Sequence, residues 1–244
     1  MDIHKPKPVH SWREFLSEIG VIVIGILIAL TLEQAVEAWR DHRHVVEARE
    51  NTRAEIAKNL GYMVRRAQTE ACVTNRLDEI AGLIAQISAG QPVKGPIWIG
   101  HPLIWFTVDG RYKTALQSGG ISLMPTDEQA GYSDLYTLFA EYTASEKDEA
   151  KAWNELRTLD LQPTPSPGYD QRLRSALEHA RMARWQMEVI LTAALDIAQS
   201  LHLEAEKLRP FKQESACIPL RTPRDQALKL VVEGRPQHLA YDEP

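Results

Sequence analysis

The sequence predicts a mainly α protein: one N-terminal transmembrane helix continuing into a stalk, then an antiparallel helical bundle with an irregular insertion at about 92–125. Three observations predict it. The fourteen residues Ile19–Leu32 carry no charge. Apolar residues recur at steps of three and four through 56–87, 132–159 and 173–201. Proline and glycine turn signals concentrate between Pro92 and Pro125, and again at Pro163, Pro165 and Pro167.

The uncharged run is shorter than the roughly 20 apolar residues a spanning helix usually needs, so its flanks decide. Trp12 and Trp39 stand 27 residues apart, about 40 Å at roughly 1.5 Å per helical residue. That matches a bilayer with its headgroups, and tryptophans favour both interfaces. Ser11-Trp12-Arg13-Glu14 has the form of a capping box, and no proline occurs between Pro8 and Pro92. Lys5, Lys7 and Arg13 ahead of a short apolar core also suit a cleaved signal peptide, but Thr31–Ala38 offers no good small-x-small cleavage site. Residues 11–40 therefore read as a spanning helix with interfacial flanks, and 1–10 as a cytoplasmic tail.

Basic residues do not orient this helix, because Lys5, Lys7 and Arg13 on one side match Arg40, Arg43 and Arg49 on the other. A short tail before the helix and a much longer chain after it fit a signal anchor of the bacterial inner membrane, with the C-terminal domain in the periplasm. Gly25 and Ala29 form a small-xxx-small pair, and Glu18, Ile22, Leu32 and Val36 fall on or near the same face. Such a face can serve as a seam for a second copy or for another membrane protein's helix. The same two residue types are common in spanning helices that have no partner. Glu18 and Glu33, at the edges of the run, can reach headgroup water.

Residues 41–55 are charged almost all round, with Arg43 and Glu47 four apart and Glu50 and Arg53 three apart, which predicts a solvated stalk. The helical bundle follows over 56–210. Its first stretch carries Ile56, Leu60, Met63 and Val64, then Val73, Leu77, Ile80, Ile84 and Ile87. Gly61 and Gly82 are weak points in it, and Ser88–Pro92 is a stop. In the insertion a short helix is expected over Arg111–Ser118. Trp105, Asp109 and Arg111 make the candidate pocket of the region from Trp98 to Met124; the alternative is that its aromatics close one end of the bundle. Thr126-Asp127-Glu128-Gln129 repeats the capping-box form and opens a helix bearing Tyr132, Leu135, Tyr136, Phe139, Tyr142 and Trp153. A last long helix is expected from about Asp170 to Leu208, and 211–244 reads as an extended tail.

Composition is that of a folded domain: 244 residues, 44% hydrophobic and 25% charged. A net charge of -5 argues against a nucleic-acid partner, which calls for a basic face. Cys72 and Cys217 belong to no metal-ligand cluster in sequence; on an oxidising side of the membrane they can pair, and otherwise they are two buried thiols. No phosphate loop, nucleophile elbow or His-Glu-x-x-His motif occurs, and His42 and His44, two apart on a helix, face different sides. No cofactor, metal site or catalytic residue is assigned.

Glu18-Ile19, the run Val23-Ile24-Gly25-Ile26-Leu27-Ile28-Ala29-Leu30, Trp39, and Arg53–Leu60 resemble a bacterial family of uncharacterised single-span membrane proteins, as does Arg111–Pro125. Many members carry paired asparagines before the tryptophan, where this chain reads Glu33-Gln34-Ala35-Val36-Glu37-Ala38. The resemblance implies the architecture and no activity. The expectation is a non-enzymatic, membrane-anchored interaction or scaffold protein, acting on itself or on another envelope protein. The competing expectation is a ligand-binding sensor or a hydrolase with its site around Trp98 to Met124.

Overall fold

The computed structural model describes residues 12–161, 166–209 and 214–234, apart from the side chain of Glu14. The predicted tail 1–10, Ser11 of the first capping box, Pro163 and Pro165, and the chain end 235–244 lie outside the described residues. Six α-helices and no strand occur among the described residues: α1 Trp12–Ala67, α2 Glu70–Ser88, α3 Gly110–Gln117, α4 Thr126–Leu156, α5 Tyr169–Ser200 and α6 Arg224–Gly234. The mainly helical fold with an irregular insertion is the one the sequence predicts.

Helix α1 is unbroken over 56 residues, about 84 Å at roughly 1.5 Å per residue. Its first part exposes Ile19, Ile22, Ile24, Leu27, Ile28, Leu32 and Val36 on every side. With a mean hydropathy of 2.5 in its most apolar window, this helix is long and apolar enough to cross a membrane. Helices α1 and α2 are separated only at Gln68 and Thr69, where the Thr69 hydroxyl donates to the Arg66 carbonyl at 2.7 Å. The weak point expected at Gly61 is instead a close approach. A Cβ there would lie 2.5 Å from the Glu206 carbonyl oxygen, and the Glu206 N–H donates to the Ala57 carbonyl at 2.8 Å.

Side-chain pairings set the directions. Arg49, Glu55 and Arg66 of α1 meet Glu128, Tyr136 and Glu149 of α4 in the same order, so these helices run parallel. Arg53, Glu70, Asp78 and Ser88 meet Leu201, Arg184, Arg181 and Asp170 in descending order, so α5 runs antiparallel to both α1 and α2. Helix α2 ends far from the apolar segment of α1, whereas α4 starts near it. The chain must therefore travel back between them. It does so as an extended strap over 97–109 that ends in α3, packed against α1.

Two apolar cores result. The core nearer the apolar segment of α1 holds Ile56, Leu60, Met63, Tyr132, Leu135, Phe139 and Ala198, and the distal core Leu77, Ile80, Ile84, Trp153, Leu156, Leu173 and Leu177.

Four expectations need correction. Residues 41–55 are not a solvated stalk throughout: Ala48, Thr52 and Glu55 are buried, because α3 packs on α1 at that height and α4 reaches it through the Arg49–Glu128 and Glu55–Tyr136 pairs. The capping box at Thr126–Gln129 does not form; Pro125 caps α4, and the Gln129 amide donates to the Met124 carbonyl at 2.8 Å, fastening the preceding turn. Helix α5 stops at Ser200, not near Leu208. His202 takes a φ of 54°, the Leu203 N–H returns to the Ala198 carbonyl and the His202 N–H to that of Gln199, a C-terminal motif usually built on glycine. Last, 211–244 is not an extended tail over its described part. Ala216, Ile218, Leu220 and Ala227 are buried, the latter three-residue span 218–220 lying against the strap, where the Trp98 N–H donates to the Leu220 carbonyl at 2.8 Å.

Two substitutions test this packing by chemical denaturation of the detergent-solubilised protein. Gly61→Ala should destabilise by about 1–3 kcal/mol, because the Glu206 backbone must move. His202→Gly should stabilise by about 1 kcal/mol, since glycine takes the left-handed conformation without steric penalty.

Candidate functional site

The strap has no neighbouring strand, so its backbone groups must find partners elsewhere. Side chains of the surrounding elements supply them. The N–H of Ile99 donates to Asp160 Oδ1 at 2.6 Å, that of Leu103 to Glu214 Oε1 at 2.6 Å, and that of Trp105 to Glu146 Oε1 at 3.1 Å. The Thr107 hydroxyl donates to the Phe139 carbonyl at 3.0 Å. Asn59 makes a two-point contact with Val108, accepting from its N–H at 3.0 Å and donating to its carbonyl at 2.7 Å. Glu55 accepts from the N–H groups of Arg111 and Tyr112 at 2.9 and 3.1 Å, which places a carboxylate at the N-terminus of α3, where the helix dipole favours it. Glu55 also accepts from the Tyr136 hydroxyl at 2.6 Å, and burial, helped by this hydrogen bond and the Glu55 charge, pushes the Tyr136 phenol well up.

Arg76 holds the other end of the strap. Its guanidinium, almost fully buried, donates to the carbonyls of Trp98 and Ile99 at 2.6 Å each and to that of Ile218. Gly100 beside it has a φ of 69°, and a Cβ would lie 2.4 Å from the Ser215 carbonyl oxygen. Only glycine fits there on both counts.

Between the two cores lies a charged waist. Arg66 and Glu149 are both buried and paired at 2.8 Å. Burial pulls the Arg66 guanidinium toward its neutral form, and Glu149 more than offsets this, so Arg66 holds its proton more tightly than usual. Arg184 of α5 pairs with Glu70 of α2, closing the waist on the far side. Glu146, fully buried, accepts from Trp105 through one oxygen, while Oε2 has no hydrogen-bond partner among the described residues. Burial pushes its carboxyl up to about 8 against the pull of the Trp105 N–H and Arg66. A protonated Glu146 is thus the form the fold prefers at neutral pH. A cavity of about 210 Å³ opens on the waist, lined by Arg66, Glu70, Tyr142, Arg184, Met187 and Leu191.

Cys72, near the start of α2, is joined by a disulfide to Cys217, with the two Cα atoms 5.1 Å apart. Together with Arg76 this bond fixes residues 214–220 to α2. Glu214 lies with the two sulfurs, its carboxylate within 4.8 Å of both. Since both sulfurs are bonded to each other, neither is a thiolate that could ligate a metal.

The sequence-chosen residues fall apart in space. Trp105 is half-buried, its ring edge-on to Tyr62 at 4.5 Å between centroids. Asp109 is exposed and paired with Lys113 at 2.7 Å. Arg111 is exposed and lines an open groove of about 390 Å³ between α1 and α3, with His44, Glu47, Asn51 and Thr114. Trp105 and Asp109 do not line it. Trp12, Glu18, Gly25, Ala29 and Trp39 all lie on the exposed part of α1, and nothing lies within 4 Å of a Cβ built on Gly25. The groups that hold the strap and waist, Glu55, Asn59, Arg66, Arg76, Glu146, Glu149 and Glu214, were not singled out from the sequence. A signal was there for two of them. In α4 the buried series Leu135, Phe139, Tyr142, Glu146, Glu149, Trp153, Leu156 keeps helical spacing and places two acids within an apolar stripe.

No protein-family model, curated protein or solved structure matches this chain.

Glu149→Gln leaves Arg66 buried without its main counter-charge and should destabilise by about 3–5 kcal/mol in thermal or denaturant melts. Glu146→Gln should act oppositely. Because the folded state keeps the Glu146 proton up to about pH 8 while the unfolded chain releases it near 4.5, this group's contribution to stability is complete below about 4.5 and is lost as pH rises to 8. The glutamine variant should flatten that decline and be the more stable protein at pH 8, measured by melts across pH 5–8.5.

Proposed function

We propose that this chain is a single-span interaction or scaffold protein of the bacterial inner membrane, with its N-terminus in the cytoplasm and its helical domain in the periplasm. The observation that carries the reading is the continuity of α1. One helix exposes apolar side chains through Val36 and buries side chains in the bundle from Ala48 onward. A soluble protein does not leave so large an apolar surface in water, and a bilayer covers it. The resemblance of this segment to single-span membrane proteins supports the same architecture.

The Cys72–Cys217 disulfide favours the periplasmic side, because such bonds persist in oxidising compartments. The charged groups of the waist and strap support a structural role, since their described partners are other parts of the same chain rather than a nucleophile or base poised at a cavity. Gly25 and Ala29, on the same face as Glu18, Ile22, Leu32 and Val36, provide the surface through which the anchor meets a second copy or another membrane protein.

In-cell crosslinking of the full chain, followed by mass spectrometry, tests the reading. Crosslinks to itself or to a membrane protein should be recovered and should fall severalfold in Gly25→Leu/Ala29→Leu. Recovery unchanged by that pair would remove the seam, and absence of the chain from the membrane fraction after alkaline extraction would remove the anchor. Cysteines introduced beside Trp12 and beyond Trp39 should react with a membrane-impermeant thiol reagent only at the second position in intact cells.

A further inference from the structure

The same continuity of α1 fixes which end of the domain looks at the membrane. Helix α4 rises from Thr126 parallel to α1, and α3 descends antiparallel to it, with the Arg111 N–H at the height of Glu55 and Gly120 against Ala48 and His44. The end of α3 and the turns 118–124 are therefore the lowest part of the domain. Helix α5 ends higher, where Arg53 donates to the carbonyls of Leu201 and His202.

Two large apolar side chains stand out from this foot: Leu116 is 46% and Leu123 is 52% exposed, whereas their neighbours Ala115, Ile121 and Met124 are buried. The foot joins α1 at His44 and Ala48, five and nine residues beyond Trp39. At about 1.5 Å per residue that is roughly 7–14 Å above the tryptophan. Trp39 itself belongs in the headgroup layer, and a tilt of about 20°, ordinary for a spanning helix, brings one side of the foot down toward the outer edge of that layer. Arg40 and Arg43, with Asp41 between them, occupy the turn of α1 in between, Arg43 lying 5.0 Å from the centre of the Trp39 ring, so the approach carries two cations suited to phosphate headgroups.

We propose that the foot of the domain rests on the bilayer that α1 crosses, with Leu123, and Leu116 beside it, set among the headgroups of phospholipids. This rests on the anchored reading above. The bilayer is the one apolar-to-polar surface that the geometry of α1 brings to this end of the domain, and it covers two leucines that would otherwise stay in water. Contact at the foot also fixes the rotation of the domain about α1, which a single crossing leaves free.

The test uses the full chain reconstituted into phosphatidylethanolamine and phosphatidylglycerol vesicles containing nitroxide-labelled lipid. An environment-sensitive fluorophore is attached to Leu123→Cys, with the Cys72–Cys217 bond left oxidised. Attachment at Ile24→Cys in the apolar segment and at exposed Val189→Cys, level with the middle of the bundle, gives the two references. Ile24 should be strongly quenched and Val189 not. Leu123 should be quenched at least twofold relative to Val189, with a blue-shifted emission. Leu123 indistinguishable from Val189 while Ile24 is quenched overturns the foot contact and leaves the anchor standing. An unquenched Ile24 overturns both.

Discussion

The extended strap 97–109 is the constraint on which the rest of this structure depends. A helical bundle whose first and third long segments run parallel needs a connection as long as the bundle itself. A third antiparallel helix would satisfy its own hydrogen bonds; an extended chain cannot, and it has no sheet to join. The helices, the turn after α4 and the C-terminal segment therefore carry polar side chains inward to meet it. Asp160, Glu214, Glu146, Asn59 and Glu55 accept from successive points along the strap, and Arg76 donates to its start. Burial of a lone carboxylate is expensive, and here each such residue is repaid by at least one backbone N–H or opposing charge. Where the repayment is thinnest, at Glu146, the carboxyl moves up to about 8 and keeps its proton.

This same requirement explains why the apolar core is divided. Arg66, Glu146 and Glu149 sit at a height where the strap crosses from the distal core to the one nearer the apolar segment of α1, and the disulfide and Arg76 lie just beyond. The C-terminal segment is part of the solution. Residues 214–220 cover the start of the strap, receive the Trp98 N–H through Leu220, and are fastened to α2 by Cys217. Cross-linking residues 145 positions apart removes much freedom from the unfolded chain, about 4–5 kcal/mol in the chain-entropy account. A segment with little helical or strand preference of its own is held by that bond, by the Arg76 guanidinium donating to the Ile218 carbonyl and by the Trp98 indole N–H donating to the Ser215 carbonyl.

These relations mark what the sequence could and could not reveal. Helix positions were legible because period and punctuation agree: α2 ends at Ser88 with Gly90 at a φ of 69°, as the Ser88–Pro92 signal implies. The end of α5 was hidden, because histidine occupies the left-handed position that glycine would have announced. The role of 41–55 was hidden for a different reason. Its charges are ion-pair and backbone partners, Arg49 to Glu128 and Glu55 to α3, and a charged face reads the same whether water or another helix meets it. Of the candidate site, the surroundings of the strap were legible only as a region. The proline and glycine density located the irregular chain, but the residues that hold it lie 22 to 111 positions away in sequence, where periodicity alone gives no reason to pair them.

What a single unbroken α1 does mechanically follows from this internal bracing. From Arg49 to Arg66 the helix is held by ion pairs and hydrogen bonds to α3, α4, the strap and the turn after α5, so it cannot swivel inside the domain without breaking buried polar contacts. No proline or glycine-rich hinge separates those contacts from the apolar segment; Ala48 is buried nine residues after Trp39. A rotation or tilt of the apolar segment is therefore transmitted to the domain as a rigid movement. Flexibly tethered domains sample many orientations, whereas this one is held at a nearly fixed distance from, and angle to, the apolar segment of its own first helix. For the proposed anchored protein, that favours a working surface defined by where the domain stands over the bilayer, more than by a pocket within it.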